Sequence, residues 1–599
     1  MANVMSMAGV NNHPSCTGYD LSRKNLFTAK IGEYLPVAVV ECIPGDKHDI
    51  DVKWMTRTQP LNSAAYTRIR EYYDWYFVPT NLLWNKFNDF VSGMKDNNLK
   101  ATSINDNVTL SDQNPYVTLS QIWRYIYFMS LEGKQNFFGY SRAKLTCKLL
   151  EYLGYGDFYG ALDTDAFPTD RVDAVVNLWS LLAYQKIYQD HLRDSQWEKA
   201  YAPACNINYI SGSQSSLNIP IQNVDRDTEN MFDLRYANWN KDYFMGVLPN
   251  SQYGDAASID LSTLVSSGTT DGFNLINSSG SQSVITSTSG KLSAGGNTWW
   301  QFDSNGVNAI AKAMGYTPER LSSAFSILSL RQAEAIQKMR EVMQSHQQDY
   351  KSQMEARWDV KVSDAYSDRC KWLGGNSANI DISEVVNNNL ESSFTDSGND
   401  SAGFSGNAII KGKAVGIGEG KIQCNTDVHG YLMCIYHAVP VLDFSINGVK
   451  KHNLKSLFTD YAQPELDKTG MVSIPVVELI NKNVPNTFLN GLLGYAPQYY
   501  EYKTAYDECH GAFYTQTNGG LGNWITPIDQ DYVLDYARNM ANSGYNTFMS
   551  YYFLKVPPAV INSIMNISAN ENVNTDQLLV NSFYQIYSSR KLDYNGLPY

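Results

Sequence analysis

The chain has 599 residues, of which 43% are hydrophobic and 18% charged, and its formal net charge is −13. This hydrophobic content excludes a chain that is disordered throughout. The acidic balance excludes a protein that binds nucleic acid through a net basic field of its own.

Tyrosine is the most unusual part of the composition, with 41 residues. Tyrosine favours strands and interfaces, because its large apolar ring carries one polar group. Together with frequent Asn, Ser and Gly, it predicts a loop-rich β protein with extensive contact surface. An ordinary β-rich protein of unusual residue usage explains the same composition equally well.

The chain shows no sign of membrane insertion or secretion. No segment reaches the roughly 18 apolar residues that a membrane helix needs. The first ten residues, MANVMSMAGV, lack a basic region, so we expect no secretory signal. The eight cysteines are dispersed without a CxxC pair, which predicts reduced thiols, as in a cytosolic product, and no disulfide framework.

The first predicted strands lie between residues 34 and 78. Tyr34–Ile43 is a nearly continuous apolar run that ends at the turn signal PGD (44–46), so it predicts a strand buried on both faces. Arg68–Val78 alternates large apolar and polar side chains, which predicts a half-buried strand. Residues 81–90 then predict a short amphipathic helix.

Two longer helices are predicted in the middle of the chain. Apolar residues recur at helical spacing across Asp170–Trp197, after a start signal at residues 168–170. A second helix is predicted from Thr317 to about Gln348, where a capping Thr precedes a proline in the first turn. A polar loop follows at Glu391–Asn407.

Between Ser251 and Gly306 the sequence becomes rich in Ser, Gly, Thr and Asn. A flexible interdomain linker is one interpretation. We favour a long exposed insertion with short strands, because the tract retains aromatic residues that include Phe273, Trp299 and Trp300.

The C-terminal part returns to strand patterns. Gly430–Phe444 is apolar in both phases, which predicts a central strand covered on both faces. Gly412–Lys421 superficially resembles a phosphate loop, but the glycine spacing does not fit and Lys421 is followed by Ile422. We therefore interpret this segment as a glycine-rich strand edge or turn. The simplest arrangement is that the strand-rich N-terminal and C-terminal parts of the chain form one sandwich, into which the middle part is inserted.

No catalytic, cofactor-binding or metal-binding motif is predicted. The eight histidines form no HExxH and no zinc-type spacing with cysteine, and no GxSxG is present. Arg23, Lys24 and Lys30 form a modest basic cluster that would contact nucleic acid or acidic neighbouring chains. A solvated arm is the alternative, and we favour it on composition alone.

Seven regions in chain order resemble the major capsid protein of the Microviridae, small icosahedral single-stranded DNA phages, especially the gokushovirus-like branch. The resemblance covers about residues 27 to 530. The matching regions are ECIPGD (41–46) with RTQPLNSAAY (57–66) and YYDWYFVPTNLLWNKFNDF (72–90), LLAYQKIYQDHLRD (181–194), LRYANWNKDYFMGVLPNSQYGD (234–255), LRQAEAIQKMRE (330–341), DAYSDRCKWLGG (364–375), HGYLMCIYHAVP (429–440) and GLLGYAPQYYEYK (491–503).

The resemblance implies a mainly β fold, a single eight-stranded viral jelly roll with long helical and loop insertions. It also implies a structural protein, not an enzyme, of which about 60 copies form a small T=1 shell around circular single-stranded DNA. Implied partners are a small basic packaging protein, a minor (pilot) capsid protein, a scaffold and a host surface receptor. The product would be located in the virion, after assembly in the host bacterial cytoplasm. No cofactor and no membrane contact are expected.

The resemblance places a host-attachment protrusion between the matches at 234–255 and 330–341. Within this interval we expect Thr263, Phe273, Trp299 and Trp300 to contribute to the protrusion. The expected organisation is one jelly-roll domain with an N-terminal arm (1–33), first strands (34–92), a helix-rich excursion (93–241), a surface insertion (242–316), a long helix and connection (317–390), and C-terminal strands and tail (391–599).

The competing hypothesis is a carbohydrate-binding or glycoside-processing β-sandwich. Exposed aromatics with Asn- and Ser-rich loops would suit sugar binding, and paired carboxylates can come from distant segments. The ordered series of matches and the absence of a secretory signal favour the capsid protein.

Overall fold

The computed structural model describes most of the chain. The described residues are 14–58, 66–92, 114–163, 174–210, 218–221, 224–252, 274–276, 282–284, 286–288, 291–294, 297–301, 327–347, 349–363, 367–386, 410–445, 448–480, 491–513, 524–526, 551–557 and 576–594.

Eight long strands form the main sheet. In chain order they are β1 (Thr17–Asp20, continued by Arg23–Ala29), β2 (Leu35–Cys42), β3 (Lys47–Thr58), β4 (Ile69–Pro79), β5 (Lys371–Val386), β6 (Ile410–Asn425), β7 (Gly430–Pro440) and β8 (Leu578–Arg590). The two segments of β1 pair with β8 in one register, with Thr17 opposite Arg590 and Ala29 opposite Leu578.

The order of the strands in this sheet is β1-β8-β3-β6-β5-β4-β7-β2, and all pairs are antiparallel. The sheet therefore contains the pairs β1·β8, β2·β7, β3·β6 and β4·β5. The first half of the strand series is folded back on the second half, which is the winding of a jelly roll. The predicted eight-stranded jelly roll is confirmed.

The two edges of the sheet, β1 and β2, are joined by side chains. Arg23 Nη2 donates to the carbonyl of Val39 over 3.0 Å, and Asn25 Nδ2 donates to that of Val37 over 2.8 Å. The sheet thus curls until its edges meet, which protects strand edges that would otherwise template further pairing.

The carboxyl group of Glu71 is buried and links three strands of the roll. Glu71 of β4 accepts hydrogen bonds from Trp54 Nε1 (2.8 Å), Thr56 Oγ1 (2.6 Å) and Tyr436 OH (3.1 Å). Burial raises the pKa of Glu71, while these donors oppose the shift. Three donors from two other strands satisfy the carboxyl oxygens, as buried polar groups require.

The glycine-rich segment at 412–421 forms the middle of β6, an interior strand between β3 and β5. The prediction of a strand was correct, but the prediction of an edge or turn was wrong. The glycines are required by close packing across the strands. A Cβ on Gly418 would lie 2.1 Å from Cζ2 of Trp54, whose indole is buried.

We expect Gly418→Ala to lower the stability of the chain by about 1–3 kcal/mol, because the added methyl group overpacks a rigid indole. Gly18→Ala is the matched control, since a Cβ on this β1 glycine meets nothing within 4 Å. The urea unfolding midpoints of the two unassembled variants test this prediction, and we expect the lower midpoint for Gly418→Ala. Equal midpoints would contradict this account of β6.

Seven α-helices are described outside the roll. They are α1 (Phe87–Ser92), α2 (Leu119–Leu131), α3 (Arg142–Tyr152), α4 (Trp179–Ile187, continued by a π turn at Tyr188–Leu192), α5 (Ile207–Ile210), α6 (Ile327–Ser345) and α7 (Tyr350–Trp358). Among the described helices, none combines the length and apolar character that crossing a bilayer requires.

The predicted helix Asp170–Trp197 is shorter than expected. Val175–Val176 pairs as a strand with Val117–Thr118, and α4 begins only at Trp179. Two adjacent β-branched residues favour the extended state, which explains the late start. The helix predicted from Thr317 to about Gln348 is observed as α6 from Ile327 to Ser345. Its predicted start and the loop at 391–407 lie outside the described residues.

The remaining described strands are short. They are Val117–Thr118, Val175–Val176, Asn274–Ile276, Gln282–Val284, Thr286–Thr288, Lys291–Ala294, Asn297–Gln301, Phe444–Ser445, Met471–Pro475, Leu492–Pro497 and Glu508–Cys509. Five of them, between residues 274 and 301, pair locally as a two-stranded and a three-stranded antiparallel sheet.

The chain divides into two compact units. One comprises Met1–Ser251, Asp349–Met354 and Val360–Tyr599 and contains the roll. The other comprises Gln252–Gln348 and Glu355–Asp359 and contains the short strands of the Ser/Gly-rich tract together with α6. The domain boundaries predicted from the sequence stay predictions.

Candidate interaction surfaces

Strands β1, β8 and β3 carry a row of three side chains on the face that points away from the interior of the roll. In this row an aromatic side chain lies between two lysines. Lys24 of β1 is opposite Phe583 of β8, and Phe583 is opposite Lys53 of β3. All three side chains are exposed, and the ring of Phe583 retains 44% of its accessible surface. The strict in-out alternation of β8 aims Phe583 outward. We call Lys24, Phe583 and Lys53 the KFK row.

Charges of both signs surround the KFK row. Arg57 of β3 adds a further basic side chain near the KFK row and is opposite Leu579 of β8. Glu419 of β6 is opposite Lys53, and the pair Lys421–Asp49 lies further along, at 3.1 Å. The basic character is therefore local, within an acidic chain.

The structure separates the three basic residues predicted from the sequence. Arg23 and Lys24 are exposed, and the Arg23 guanidinium donates to Val39 of β2. Lys30 is only 5% exposed, and its ammonium lies 5.0 Å from the ring centroid of Tyr140. Burial lowers the pKa of Lys30, against the attraction of Glu33 and Asp576. In the described chain, Lys24 is thus the member of the cluster that joins the KFK row.

A second surface is apolar and lies in the loop region around residue 458. Its exposed members are Leu457, Phe458, Tyr461 and Tyr502, and Phe458 retains 78% of its accessible surface. We call these four residues the 458 patch. Several exposed apolar side chains in one region are typical of an interaction site.

Lys455 lies beside two of the four members of the 458 patch. Its Nζ lies 4.3 Å from the ring centroid of Tyr502 and 5.6 Å from that of Tyr461. The same atom forms an ion pair with Glu501 at 2.8 Å, with only 3% of the Lys455 side chain exposed. Tyr461 and Tyr502 are therefore preorganised, which lowers the entropic cost of binding through these two rings.

The excess of tyrosine serves both the core and the surface. Of the described tyrosines, eleven are buried: Tyr34, Tyr73, Tyr76, Tyr125, Tyr184, Tyr188, Tyr236, Tyr243, Tyr436, Tyr499 and Tyr584. Nine are exposed: Tyr66, Tyr159, Tyr201, Tyr209, Tyr350, Tyr461, Tyr502, Tyr587 and Tyr594. Composition alone could not separate these two uses.

The residues predicted for the surface insertion are described only in part. Trp299 and Trp300 lie in the strand Asn297–Gln301, which pairs with Lys291–Ala294. Thr263 and Phe273 lie outside the described residues. Their contribution to a surface protrusion stays a prediction.

The turn between β2 and β3 brings together side chains that sequence spacing did not connect. Cys42, Asp46 and His48 place one sulfur, one carboxylate oxygen and one ring nitrogen within 4.8 Å of one another. Burial raises the pKa of the Cys42 thiol to about 12 and lowers the pKa of His48. The pattern Cys-x₃-Asp-x-His across a PGD turn was the signal available in the sequence.

Comparison with known proteins gives one match. A protein-family model described as "Capsid protein (F protein)" matches residues 11–130 and 100–533. The matched residues include strands β1 to β7 and the whole of the second unit. No curated protein matches the sequence significantly.

Proposed function

Because the chain belongs to the F-protein capsid family of the Microviridae, we propose that about 60 copies assemble into a T=1 icosahedral shell around circular single-stranded DNA. Membership in this family makes the chain a structural protein of a multi-copy virion shell, not an enzyme. A glycoside-processing function is thereby excluded. Assignment to the gokushovirus-like branch is part of the proposal.

The observation that carries the proposal is the family match across residues 11–533, together with the jelly-roll order of the eight strands. A closed shell repeats each contact in every copy, so individually weak contacts suffice. The 458 patch supplies apolar surface for such contacts between neighbouring chains.

Purified particles provide the direct test of this proposal. A shell of about 60 chains of 67.3 kDa has a protein mass of about 4 MDa, which light scattering and negative-stain imaging can measure. A chain that stays monomeric under all assembly conditions would overturn the proposed assembly.

The net charge constrains how such a shell holds DNA. About 60 chains of −13 carry about −780 in total, so packaged polyanionic DNA needs counter-charge. We propose that a small basic packaging protein and cations supply most of it, and that the KFK row supplies a local contact. Base stacking on Phe583 between two lysines suits single strands of any sequence.

Changing Lys24 and Lys53 together to Gln is expected to reduce the DNA retained per particle and the salt dependence of oligonucleotide binding. Each lost phosphate contact lowers the slope of log K against log salt by about 0.7. Lys241→Gln with Lys468→Gln is the charge-matched control, since both lysines are exposed outside the row. Identical slopes for the two double variants would contradict the DNA contact.

We further propose that the region 242–316 forms the protrusion that binds a host receptor, with Thr263, Phe273, Trp299 and Trp300 as contributors. Support comes from the separate compact unit that contains most of this region. A minor (pilot) capsid protein and a scaffold would act during assembly in the host cytoplasm.

Deleting residues 256–300 is expected to leave shell assembly largely intact and to abolish host attachment. The deleted residues fall entirely within the second unit, so the roll keeps its own core. Particle yield by sedimentation and adsorption to host cells are measured in parallel. Loss of particles, or normal adsorption, would contradict this role.

A further inference from the structure

The turn between β2 and β3 gathers three buried side chains of the types that ligate transition metals. Cys42 ends β2, Asp46 lies in the turn and His48 lies in β3. Their residues are 1%, 0% and 2% exposed. Gly45 adopts φ +89°, a conformation that other residues rarely adopt, and so turns the chain sharply before Asp46.

The distances within this cluster fit a tetrahedral ion. Cys42 Sγ lies 3.4 Å from His48 Nε2, and Asp46 Oδ2 lies 3.5 Å from the same nitrogen. Bonds of about 2.3 Å to sulfur and about 2.0–2.2 Å to nitrogen and oxygen place tetrahedral ligand atoms roughly 3.3–3.6 Å apart. The sulfur and the carboxylate oxygen thus lie at zinc-compatible separations from the ring nitrogen, and all three donors lie within 4.8 Å of one another.

Protein hydrogen bonds leave one carboxylate oxygen of the cluster unsatisfied. Asp46 Oδ1 is buried without a hydrogen-bond partner, and Asp46 Oδ2 accepts from the backbone N–H of Ile43 at 3.1 Å. The Arg590 Nε atom lies 3.4 Å from Asp46 Oδ2 but is itself without a hydrogen-bond partner. A buried carboxylate oxygen left in this state is costly.

Neighbouring groups orient the donors as in known metal sites. His48 Nδ1 is hydrogen-bonded to Ser588 Oγ at 2.7 Å, which leaves Nε2 directed at the cluster. Such outer contacts fix the ring of a ligating histidine. Arg590 also donates to the carbonyl of Glu41 over 2.8 Å, so its charge is held beside the carboxylate.

We propose that Cys42, Asp46 and His48 bind one Zn²⁺ ion that fastens the corner between β2 and β3. Zinc with one thiolate and one carboxylate is a neutral set, which lowers the cost of burying the ion. The fourth position belongs to water or to Cys424, a buried residue opposite His48 in the β3–β6 register. This proposal does not depend on the assembly state of the chain.

The full-length chain, purified in metal-depleted buffer, is titrated with Zn²⁺ and separately with Co²⁺. We expect one ion per chain, a higher thermal midpoint with Zn²⁺ and a thiolate-to-Co²⁺ absorption band in the near ultraviolet. Absence of both the band and the thermal shift in the wild-type chain would overturn the proposal.

Variants locate the site. His48→Gln should weaken Zn²⁺ binding by about tenfold or more, and Ser588→Ala, which keeps all three ligands, by about tenfold. Cys147→Ser removes a buried cysteine of α3 and is the control that should bind normally. Unchanged Zn²⁺ affinity in His48→Gln would overturn the assignment, and loss of the Co²⁺ band intensity by half in Cys424→Ser would identify Cys424 as the fourth ligand.

Discussion

Replacing Phe458 by aspartate is expected to reduce particle formation by about tenfold or more while the chain stays folded. Phe458 is 78% exposed in the isolated chain, so the substitution removes little internal packing. In a shell, the carboxylate would be desolvated against a neighbouring chain, which costs several kcal/mol per contact. Each 1.4 kcal/mol corresponds to a factor of ten, and the loss recurs in every copy. Sedimentation of assembly reactions measures the yield.

Tyr209→Asp is the control for this prediction. Tyr209 is an exposed aromatic outside the 458 patch, and its substitution introduces the same charge. Circular dichroism of both unassembled variants verifies that they fold. Normal yield from Phe458→Asp would show that the 458 patch is not a contact between chains.

The parts of the roll that the sequence predicted well are those with strong local patterns. Strands β2, β4 and β7 occupy continuous or alternating apolar segments, and their predicted and observed bounds differ by a few residues. Strand β8 also alternates, yet its partners β1 and β3 lie more than 500 residues earlier in the chain. Pairing over that distance depends on register and packing, which no local pattern encodes.

The prediction of an edge or turn at the glycine-rich segment of β6 was wrong for a related reason. Intrinsic preference disfavours glycine in strands, so the segment 412–421 suggested an edge or turn. The decisive contact is the indole of Trp54 over Gly418, which only the cross-strand register reveals. The KFK row and the 458 patch were missed likewise, because exposure and cross-strand neighbours are properties of the folded chain.

A buried ion pair explains how the irregular segment 225–236 is held on the helices. Arg142 of α3 donates from Nε and Nη2 to the two carboxylate oxygens of Asp233, over 2.9 and 2.8 Å. Its Nη2 also donates to the carbonyl of Thr228 at 2.9 Å. The Arg142 and Asp233 side chains are 5% and 11% exposed. One guanidinium thus fixes several points of a segment that lacks helix and strand.

Arg142→Met is therefore expected to destabilise the unassembled chain by about 3–5 kcal/mol, because Asp233 would remain buried without its counter-charge. Adding Asp233→Leu should restore much of the loss, since two apolar groups avoid that penalty. Arg226→Met, which breaks a surface pair with Glu132, should cost less than about 1 kcal/mol. Urea unfolding of the four chains separates these outcomes. An equal loss of unfolding free energy in Arg142→Met and Arg226→Met would contradict this account. The segment 225–236 would then be held in place by apolar packing, and the bidentate ion pair would add no net stability.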